Sequence, residues 1–563
     1  MSQDLLVESA LQRRRILIFH GYLLRGTGSN IYNANLARAL VRLGHEVHLL
    51  SQEQHPEDFD FVDTAAHCKG SQLYIHWKRT PRFTGRCTVY RPDIGGLLPV
   101  YVYDHYDEFE ARTFPELTED ELDRYLTANI RAVQSVAAMS GPEIALANHE
   151  IMGPVILHRA LATTIPYVVK AHGSALEYTV KPHARFLPYA REGMLGARAV
   201  LVGSEYVAKQ LFTTLNAPEL AERIRLVPPG VDFSVFVPRD KKTNASKLHR
   251  LVEQLAAIGR TGFGIAESEE LDAVATRTIP EWSELLAIQG GYNASGIDKD
   301  VPRKLATLNP FHDRIVAFVG KLIVSKGVHL LLCAWPLVLA AEPRAKLLIV
   351  GFGTYREALE LLLRAQEKGD LVMIRQIVRS GRALEGGSPG DTGSIEAFFD
   401  DLTGSEQEAY LRTARGIRDS VIFTGKLDHD LLVDLLPVAE VLVVPSLFPE
   451  AFGMVAIEAV ASGVWPTVTN QSGLAEVASI LSRAIPAERS ALLSFDPGPG
   501  ALRQLAGHIC TWFAIPSDER LELTTTLRKV SEKLWSWEVI AKSLIAACDG
   551  RLDELPAPKL NGK

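Results

Sequence analysis

The sequence predicts an α/β protein that contains two parallel-sheet domains in succession. Near the N-terminus, a short apolar strand, a glycine-containing loop and a helix follow one another in "ILIFHGYLLRGTGSNIYNANLARAL". The same order returns in the second half, in "RIVAFVGKLIVSKGVHLLLCAWPLVL" and again in "KLLIVGFGTYREALELLLRA". Short apolar strands that alternate with helices are typical of a parallel sheet covered by helices.

Composition narrows the class of protein. The chain has 563 residues, 47% of them apolar, and a formal net charge of -7. This length allows two large domains with insertions, and the weak acidic balance does not favour a nucleic-acid partner. Five scattered cysteines without C-x-x-C spacing fit a reduced compartment rather than a disulfide framework. The sequence shows neither a signal peptide nor an apolar run of roughly 20 residues, so we expect a cytoplasmic protein.

The first domain is placed at residues 1–237. Its first strand is 16–19, and "EVHLL" is the second strand after an intervening amphipathic helix. Thr118 followed by Glu121 predicts a capping box at the start of a long helix. Further predicted strands are "QLYIHW", "CTVY", "PVYVY", "EIALAN", "PYVVKAHGS" and "AVLVGSE", and "RIRLVPPGVDFSVF" closes the domain.

The remaining chain is divided by two segments without clean strand alternation. Residues 238–312 predict a partly helical interdomain insertion or linker, and residues 376–416 a second insertion with a flexible "LEGGSPGDTGS" stretch. Strand–helix units between and after them place the second domain at 313–535. Residues 536–563 contain a last helix, which we expect to pack back towards the first domain.

The segment "PEAFGMVAIEAVASG" carries Glu450 and Glu458 on either side of a predicted helix start at Met454. Eight helical positions span about 12 Å, whereas the carboxylate pair of a glycosidase needs about 5–9.5 Å. The two acids therefore suit opposite ends of an elongated ligand. The amides of Phe452, Gly453 and Met454 would lie at the helix N-terminus, where amides bind anions or hydroxyls. Taken alone, both acids are equally consistent with ordinary surface positions near a helix start.

Extended to "PEAFGMVAIEAVASGVWPTVTNQSGLAEV", this segment resembles the E-x7-E signature of the GT4 family of GT-B glycosyltransferases. Other segments match the family in the same order: "GTGSNIYNANLARALVRLGHEVHLL", "VVKAHGS", "AVLVGSE", "LVPPGVDFSVF", "FVGKLIVSKGVHLLL" and "LWSWEVIAKSLI". Several ordered matches are more specific than any single motif. The resemblance implies a GT-B fold, with two Rossmann-like domains facing a central cleft. It also implies retaining transfer of a hexosyl group from a nucleotide-diphosphate sugar to an acceptor hydroxyl.

The resemblance assigns donor-binding roles residue by residue. Glu450 would contact hydroxyls of the transferred sugar, and the amides at 452–454 would hold the same sugar or the adjoining phosphate. Glu458 would bind the ribose diol, because a carboxylate accepts two hydrogen bonds. Lys321 and Lys326 would neutralise the diphosphate. The family usually has arginine at the first of these positions, so Lys321 keeps the charge but loses the planar fork.

The resemblance also implies roles outside the glutamate segment. His172 in "KAHGS" would reach the donor sugar or the reacting centre, which makes His172, Lys326 and Glu450 the implied catalytic residues. By itself, a lone histidine after a buried strand is more often structural. Gly26 and Gly28 would let backbone amides approach the phosphate or the acceptor. The nucleotide base would lie near Lys426 and Leu427.

No metal and no resident cofactor are expected, because no D-x-D motif follows a strand of the second domain and the nucleotide sugar is a co-substrate. No nucleophile lies within the matched motifs, which favours front-face substitution. The donor is a UDP, GDP or ADP sugar, and the acceptor is a carbohydrate or a lipid-linked molecule. Peripheral membrane contact is not predicted. Acceptor contacts are assigned to four residues that are equally consistent with a loop packed on its own aromatics, namely Tyr103, Asp104, His105 and Tyr106.

Three alternatives stay open at this point. Another GT-B enzyme, such as a sugar-nucleotide epimerase or a phosphorylase, would share the fold but does not fit the E-x7-E match. A catalytically silent GT-B binding protein would not need intact His172, Lys326, Glu450 and Glu458. An NAD-dependent oxidoreductase would explain "GTGSNI" after a strand. However, the third glycine of that fingerprint and the acid after the second strand are both missing.

Overall fold

The computed structural model describes residues 13–101, 108–161, 164–276, 282–289, 291–390 and 392–560. It divides into two compact α/β units. The first unit contains the chain up to Gly230 and again from Trp535, and the second unit is Val231–Leu534. None of the helices in these described ranges is long and apolar enough to cross a bilayer.

The first unit contains a nine-stranded sheet with strand order β11-β10-β9-β8-β1-β2-β5-β3-β4, and a separate pair of strands, β6 and β7. Every pairing in the large sheet is parallel except β3 with β4. The strands are β1 (Arg15–Phe19), β2 (Glu46–Leu50), β3 (Thr64–Lys69), β4 (Gln72–Lys78), β5 (Arg86–Pro92), β6 (Leu97–Val100), β7 (Glu110–Thr113), β8 (Ile144–Asn148), β9 (Tyr167–Lys170), β10 (Ala199–Val202) and β11 (Ile224–Leu226).

Helices cover this sheet as the alternating pattern predicts. They are α1 (Gly28–Arg42), α2 (Glu119–Ser140), α3 (Gly153–Leu161), α4 (Leu187–Gly196) and α5 (Glu205–Leu215). The predicted capping box at the start of α2 is confirmed. The Thr118 hydroxyl accepts from the Glu121 amide, and the Glu121 carboxylate accepts from the Thr118 amide. Strands β3 and β7 were not predicted, because "TAAHCK" and "EART" lack apolar alternation.

The second unit contains a six-stranded, fully parallel sheet with strand order β14-β13-β12-β15-β16-β17. The strands are β12 (Arg314–Val319), β13 (Ala345–Val350), β14 (Val421–Gly425), β15 (Val441–Val444), β16 (Trp465–Thr469) and β17 (Ser494–Phe495). The helices are α6 (Lys241–Ala257), α7 (Ile265–Val274), α8 (Trp282–Gln289), α9 (Val301–Leu305), α10 (Val328–Ala341), α11 (Arg356–Lys368), α12 (Leu371–Ser380), α13 (Gly393–Asp401), α14 (Gly404–Ala414), α15 (His429–Leu435), α16 (Met454–Ala461), α17 (Ser472–Ser482), α18 (Ala487–Ser490), α19 (Ala501–Ala514) and α20 (Ser517–Trp535).

The segment 238–312 differs from the predicted interdomain linker. It carries α6 to α9 and belongs to the second unit, where α6 packs on α15 and α7 on α11. Ile297 forms an antiparallel bridge with Gly425 at the end of β14. The buried carboxylate of Asp298 pairs with the Arg356 guanidinium at 2.9 Å. These contacts tie the segment to the sheet edge, so it is an integral part of the second unit.

Residues 376–416 form helices rather than an irregular loop. They include the end of α12, a 3-10 turn at Gly381–Glu385, and helices α13 and α14. α14 packs against α10, where the hydroxyl of Tyr410 donates to the Cys333 carbonyl at 3.0 Å.

The chain ends with α21 (Trp537–Cys548), which packs against α1 of the first unit. The Trp537 ring lies edge-on to Tyr32, with 5.4 Å between the ring centroids. A Cβ on Gly230 would lie 2.7 Å from the Trp537 ring, so glycine at that position permits this close packing. The last helix therefore completes the core of the first unit.

Candidate active site

Two loops at the carboxyl ends of the neighbouring strands β12 and β15 bring Lys326 and Glu450 together. Lys326 ends a 3-10 turn, and the following Gly327 has a φ of 70°. A Cβ on Gly327 would lie 1.9 Å from the carbonyl oxygen of Pro445, so glycine is needed for the loops to approach this closely. The Lys326 ammonium forms an ion pair with the Glu450 carboxylate.

Glu450 is held by further hydrogen bonds in its loop. The Ser446 hydroxyl donates to the same carboxylate oxygen at 2.7 Å, and the Glu450 amide donates to the Ser472 hydroxyl at 2.8 Å. Burial raises the pKa of Glu450, but the charge and hydrogen bond of Lys326, together with the Ser446 hydrogen bond, outweigh burial and lower it. The carboxylate is therefore ionised at neutral pH.

The helix that follows begins where the sequence predicts. Gly453 is the N-cap of α16, with a φ of 101°, and Met454 is the first helical residue. Amides in the first turn of a helix have no carbonyl partner within the helix, which makes such a terminus suited to anions and hydroxyls. Phe452 is buried, with 5% of its surface exposed, so its backbone is fixed against the unit. The predicted helix start is therefore present beside Glu450, and binding of the sugar or phosphate by its amides stays a prediction.

Glu458 lies on α16 and is buried, with 6% of its surface exposed. Its carboxylate contacts Nε2 of His429, the first residue of α15, at 3.1 Å. Burial lowers the pKa of His429, but the charge and hydrogen bond of Glu458 outweigh burial and raise it. The Phe236 ring lies edge-on to the imidazole at a centroid distance of 5.8 Å. His429 was not among the predicted site residues.

The residues assigned to the nucleotide base follow β14. Gly425 has a φ of 71°, and the Lys426 amide donates to the Gly296 carbonyl at 3.1 Å. The Lys426 ammonium lies 3.5 Å from Asp428, and Leu427 is buried with 9% of its surface exposed. The segment 296–298 of the first insertion therefore lines the strand end where the base is expected.

The second insertion reaches the loop that carries Lys321 and Lys326. The Glu385 carboxylate accepts a hydrogen bond from the Val324 amide at 3.0 Å. Burial raises the pKa of Glu385, and its hydrogen bond to Val324 and the Arg382 charge only partly offset that rise. The Arg382 guanidinium lies over the Phe448 ring, 5.6 Å from its centroid. No local sequence pattern predicts this contact.

In the first unit, His172 follows β9 and ends a chain of hydrogen-bonded polar side chains. Its Nε2 lies 3.0 Å from Oδ1 of Asn148. The Asn148 amide donates to Oδ1 of Asn33 at 2.8 Å, and the Asn33 amide donates to Nδ1 of His20 at 3.0 Å. Because the Asn148 amide also donates to the Phe19 carbonyl at 3.3 Å, its Oδ1 faces His172 as an acceptor. His172 therefore carries its proton on Nε2 and leaves Nδ1 as an acceptor.

The histidines of this cluster are neutral. Burial, followed by the charges of His149, Lys170 and His20, holds the pKa of His172 well below its ordinary value. Burial lowers the pKa of His20 to about 4. The His149 ring lies 4.8 Å from that of His172, and its backbone has a φ of 65°. Neither ring nitrogen of His149 has a hydrogen-bond partner within the described residues.

Two buried ionisable groups lie beside this cluster. The Glu150 carboxylate accepts from the Gly173 amide at 2.6 Å, next to His172, and burial raises the pKa of Glu150 to about 7. The Lys170 ammonium donates to the Val227 carbonyl at 2.5 Å, and burial lowers the pKa of Lys170 to about 7. Because the Gly173 amide donates to Glu150, this carboxylate fixes the turn that carries His172.

The remaining predicted residues of the first unit belong to two loops. Gly26 has a φ of 93° and Gly28 begins α1. A Cβ on either glycine would meet no atom within 4 Å, so the backbone there borders open space. The acceptor residues Tyr103, Asp104, His105 and Tyr106 lie outside the described residues.

Two family models match the chain on either side of the first insertion. The model described as "Glycosyltransferase Family 4" matches residues 26–235, and "Glycosyl transferases group 1" matches residues 397–482, which include Glu450 and Glu458. The chain belongs to the GT4 family of GT-B glycosyltransferases. The predicted family and fold class are confirmed.

Similar proteins agree with GT4 membership. The mannosylfructose-phosphate synthase of Agrobacterium fabrum is 27% identical over 246 residues, which are 43% of this chain and 41% of that protein. The chain thus spans less than half the length of the curated relatives it matches.

Solved structures show the same GT-B fold. The sucrose-phosphate synthase of Thermosynechococcus elongatus has a TM-score of 0.54 at 19% identity, over 96% of this chain and 100% of that one. Anabaena HepE in complex with UDP and glucose has a TM-score of 0.53 at 13% identity, over 96% and 100% of the chains.

In this GT4 chain, the structure brings together Lys326, Glu450 and the start of α16 within the second unit. The residues that sequence reasoning missed in the first unit share one signal. They are polar residues at or directly after the carboxyl ends of the buried strands β1 and β8, namely His20, Asn148, His149 and Glu150. Ligands of parallel sheets bind beyond these strand ends.

Proposed function

We propose that the chain is a retaining glycosyltransferase that moves a hexosyl group from a nucleotide-diphosphate sugar to an acceptor hydroxyl. The observation that carries this proposal is the ion pair between Lys326 and Glu450 beside the N-terminus of α16. A cation, a carboxylate and helix-start amides thus meet at one sheet edge. These are the groups that a diphosphate and the hydroxyls of a sugar require.

Donor binding rearranges this pair. The donor diphosphate takes the place of Glu450 as the partner of Lys326, and Lys321 supplies a second positive charge in the same loop. Glu450, held by Ser446 and by the Ser472 hydroxyl, then accepts hydrogen bonds from hydroxyls of the sugar. Glu458 accepts the ribose diol. The His429 imidazole contacts this carboxylate at 3.1 Å and helps to hold it in place.

The reaction is a front-face substitution. The acceptor oxygen forms a bond to the anomeric carbon while the bond from that carbon to the diphosphate oxygen breaks. The acceptor proton passes to the departing diphosphate. Lys326, Lys321 and the amides of the α16 start stabilise the charge on the leaving group, and the remaining contribution of the protein is positioning. His172 contributes Nδ1 as an acceptor for a sugar hydroxyl, since its Nε2 proton is directed to Asn148.

The donor class has independent support. The solved Anabaena protein contains UDP and glucose, and the matched Arabidopsis thaliana starch synthase IV domain contains ADP and acarbose. We include metal independence in the proposal, because Lys326, Lys321 and the helix amides provide the charge stabilisation. Turnover of UDP, GDP or ADP sugars should be unchanged by EDTA. Loss of turnover that a divalent ion restores would contradict this part of the proposal.

Nucleotide binding tests the proposal directly. Isothermal titration with UDP, GDP and ADP should identify one base that binds the wild-type chain. Glu458→Ala removes hydrogen bonds to a charged group, and loss of even one of them, worth about 1.5–3 kcal/mol, should raise Kd at least about 10- to 100-fold. Glu488→Ala, which removes an exposed glutamate of α18, is the matched control and should leave Kd unchanged. Equal Kd values for Glu458→Ala and the wild type would overturn the assignment.

A further inference from the structure

A cleft of about 530 Å³ opens in the first unit beyond the carboxyl ends of β2, β5 and β3. Its size falls within the range of small-molecule sites. It is lined by Gln52, Gln54, His67, Lys69, Tyr74 and Arg91, among others. These residues take no part in the donor chemistry described above. In parallel sheets this edge is where ligands bind, so the cleft is a candidate subsite.

The cleft carries two positive charges, Arg91 and Lys69, and the hydrogen-bond partners of Arg91 are neutral. Arg91 Nε donates to Nδ1 of His67 at 3.2 Å, and the Arg91 guanidinium also donates to the Gln54 side chain. In the described part of the chain, no hydrogen bond or ion pair of Arg91 involves a carboxylate. Lys69 is exposed at the rim. Asp93 is the single acid among the described lining residues, and it accepts from the Gly95 amide at 3.2 Å.

His67 holds the guanidinium in place. The His67 ring stacks on that of His76 at a centroid distance of 4.1 Å. Burial, followed by the charges of Arg91 and His76, lowers the pKa of His67, so the neutral imidazole accepts from Arg91. A guanidinium fixed by neutral groups is pre-organised for bidentate binding of an external anion. The rings of Tyr74 and Phe109 at the same cleft offer apolar surface to the rest of a ligand.

The cleft and the histidine cluster around His172 lie at the same edge of the sheet of the first unit. Gln52 follows β2, and β2 is the direct neighbour of β1, whose end carries His20. Adjacent strands are about 4.8 Å apart, so Arg91 at the end of β5 lies about 10 Å from the end of β1. An acceptor anchored at Arg91 would therefore extend its sugar along this edge towards His20, Asn148 and His172.

We propose that this cleft is an anion subsite that binds a phosphate monoester carried by the acceptor. This inference rests on the proposed function, since it names the acceptor class of the same enzyme. A phosphate monoester carries about −1.5 to −2 charges at neutral pH, whereas a carboxylate carries a single charge. Two cations therefore match a phosphate monoester better than a carboxylate. Arg91 forms the bidentate contact and Lys69 adds the second charge.

Binding of glucose 6-phosphate and of glucose to the chain saturated with whichever of UDP, GDP and ADP it binds tests this proposal, because that nucleoside diphosphate occupies the donor-side cations. Glucose 6-phosphate should bind measurably more tightly than glucose. Arg91→Gln should weaken its binding about 10- to 100-fold through loss of charge-assisted hydrogen bonds. Lys69→Gln, at an exposed position that does not endanger folding, should weaken it several-fold. Arg86→Gln, at the opposite end of β5, is the matched control and should have no effect.

The two sources of a phosphate monoester are distinguished by vesicles. If the acceptor is lipid-linked, co-sedimentation with phosphatidic acid vesicles, and not with phosphatidylcholine vesicles, should depend on Arg91 but not on Arg86. The proposal is overturned if neither probe binds in an Arg91-dependent manner while Arg91→Gln and Lys69→Gln still bind the nucleoside diphosphate normally. If the wild-type chain bound none of UDP, GDP and ADP, the proposed function itself would be refuted, so the two failures are distinguishable.

Discussion

The two units carry polar sites of opposite electrostatic character. In the second unit, Lys326 and Glu450 are ionised, and a third of the lysine side chain is exposed. In the first unit, His172 is half-buried and its neighbours His20 and His149 are buried, and desolvation keeps all three imidazoles neutral. The first arrangement can exchange ion-pair partners when an anion arrives, whereas the second can only orient hydroxyls through fixed hydrogen bonds. Under the proposed function, we therefore expect charge stabilisation from the second unit and hydroxyl positioning from the first.

Removing the positive charge of Lys326 in the second unit should have the largest effect on activity. Lys326→Ala removes a cation from the leaving diphosphate and leaves the half-buried Glu450 carboxylate without its ion-pair partner. Loss of one pre-organised donor costs about 10²–10³-fold in kcat, and we expect a decrease of that size. Steady-state release of the nucleoside diphosphate measures it.

Lys529→Ala is the control for this loss, since Lys529 is exposed on α20 of the same unit and should be silent. If Lys326→Ala retained the wild-type kcat with unchanged folding, Lys326 would not contact the leaving group. The difference in charge between the two sites would then not correspond to a difference in their catalytic roles.

Breaking the neutral network of the first unit should reduce stability as well as activity. Asn33→Ala removes the link between His20 and Asn148 and leaves buried polar atoms without partners, at a cost of about 1–3 kcal/mol. The melting transition of the first unit should fall by about 2–10 °C, as scanning calorimetry would show. Asn35→Ala lies on the same helix but outside this network and is the matched control. Equal melting temperatures for the two variants would argue against a cooperative polar network.

The pH dependence of stability should show the smallest effect. Burial raises the pKa of Glu150 from its ordinary 4.5 to about 7, so between these values the folded chain retains a proton that the unfolded chain has released. The wild-type free energy of unfolding should therefore fall as pH rises through this window. Relative to the wild type, Glu150→Gln should gain stability progressively from about pH 4.5 to about pH 7.

Denaturant titrations at several pH values would measure this gain. Glu219→Gln, which replaces an exposed glutamate of the same unit, should give a flat difference. If the difference in unfolding free energy between Glu150→Gln and the wild type were also independent of pH, Glu150 would be ionised throughout this pH window. The contrast between a charged and a neutral site would then be weaker than the structure indicates.

Much of the fold could be predicted because it depends on local patterns. Apolar runs bounded by glycine loops located most strands, Thr118 and Glu121 located the start of α2, and Gly453 preceded the start of α16. Strands β3 and β7 were missed because their sequences carry charge and lack alternation. The first insertion was misplaced because its attachment depends on pairing between Asp298 and Arg356, which no local pattern reveals.

Prediction of the candidate site was limited in the same way, because the site also depends on contacts between residues that are distant in sequence. The E-x7-E segment located Glu450 and Glu458, but the partners of these glutamates come from distant loops: Lys326 is 124 residues from Glu450, and His429 follows another strand. His149 and Glu150 follow a predicted strand, yet they carry no motif. Only the sheet order places their strand beside β9, which carries His172. Motifs thus identify ligand-binding chemistry, whereas strand order determines which residues meet.

The discontinuity of the first unit has a consequence for biosynthesis. Its core includes Trp537 on α21, which packs on Tyr32, so the ribosome completes the entire second unit before it supplies the last part of the first. During translation the nascent chain therefore exposes apolar surface on α1 until the final helix emerges. Ribosome profiling of chaperone-bound nascent chains should show engagement that persists while the second unit is translated.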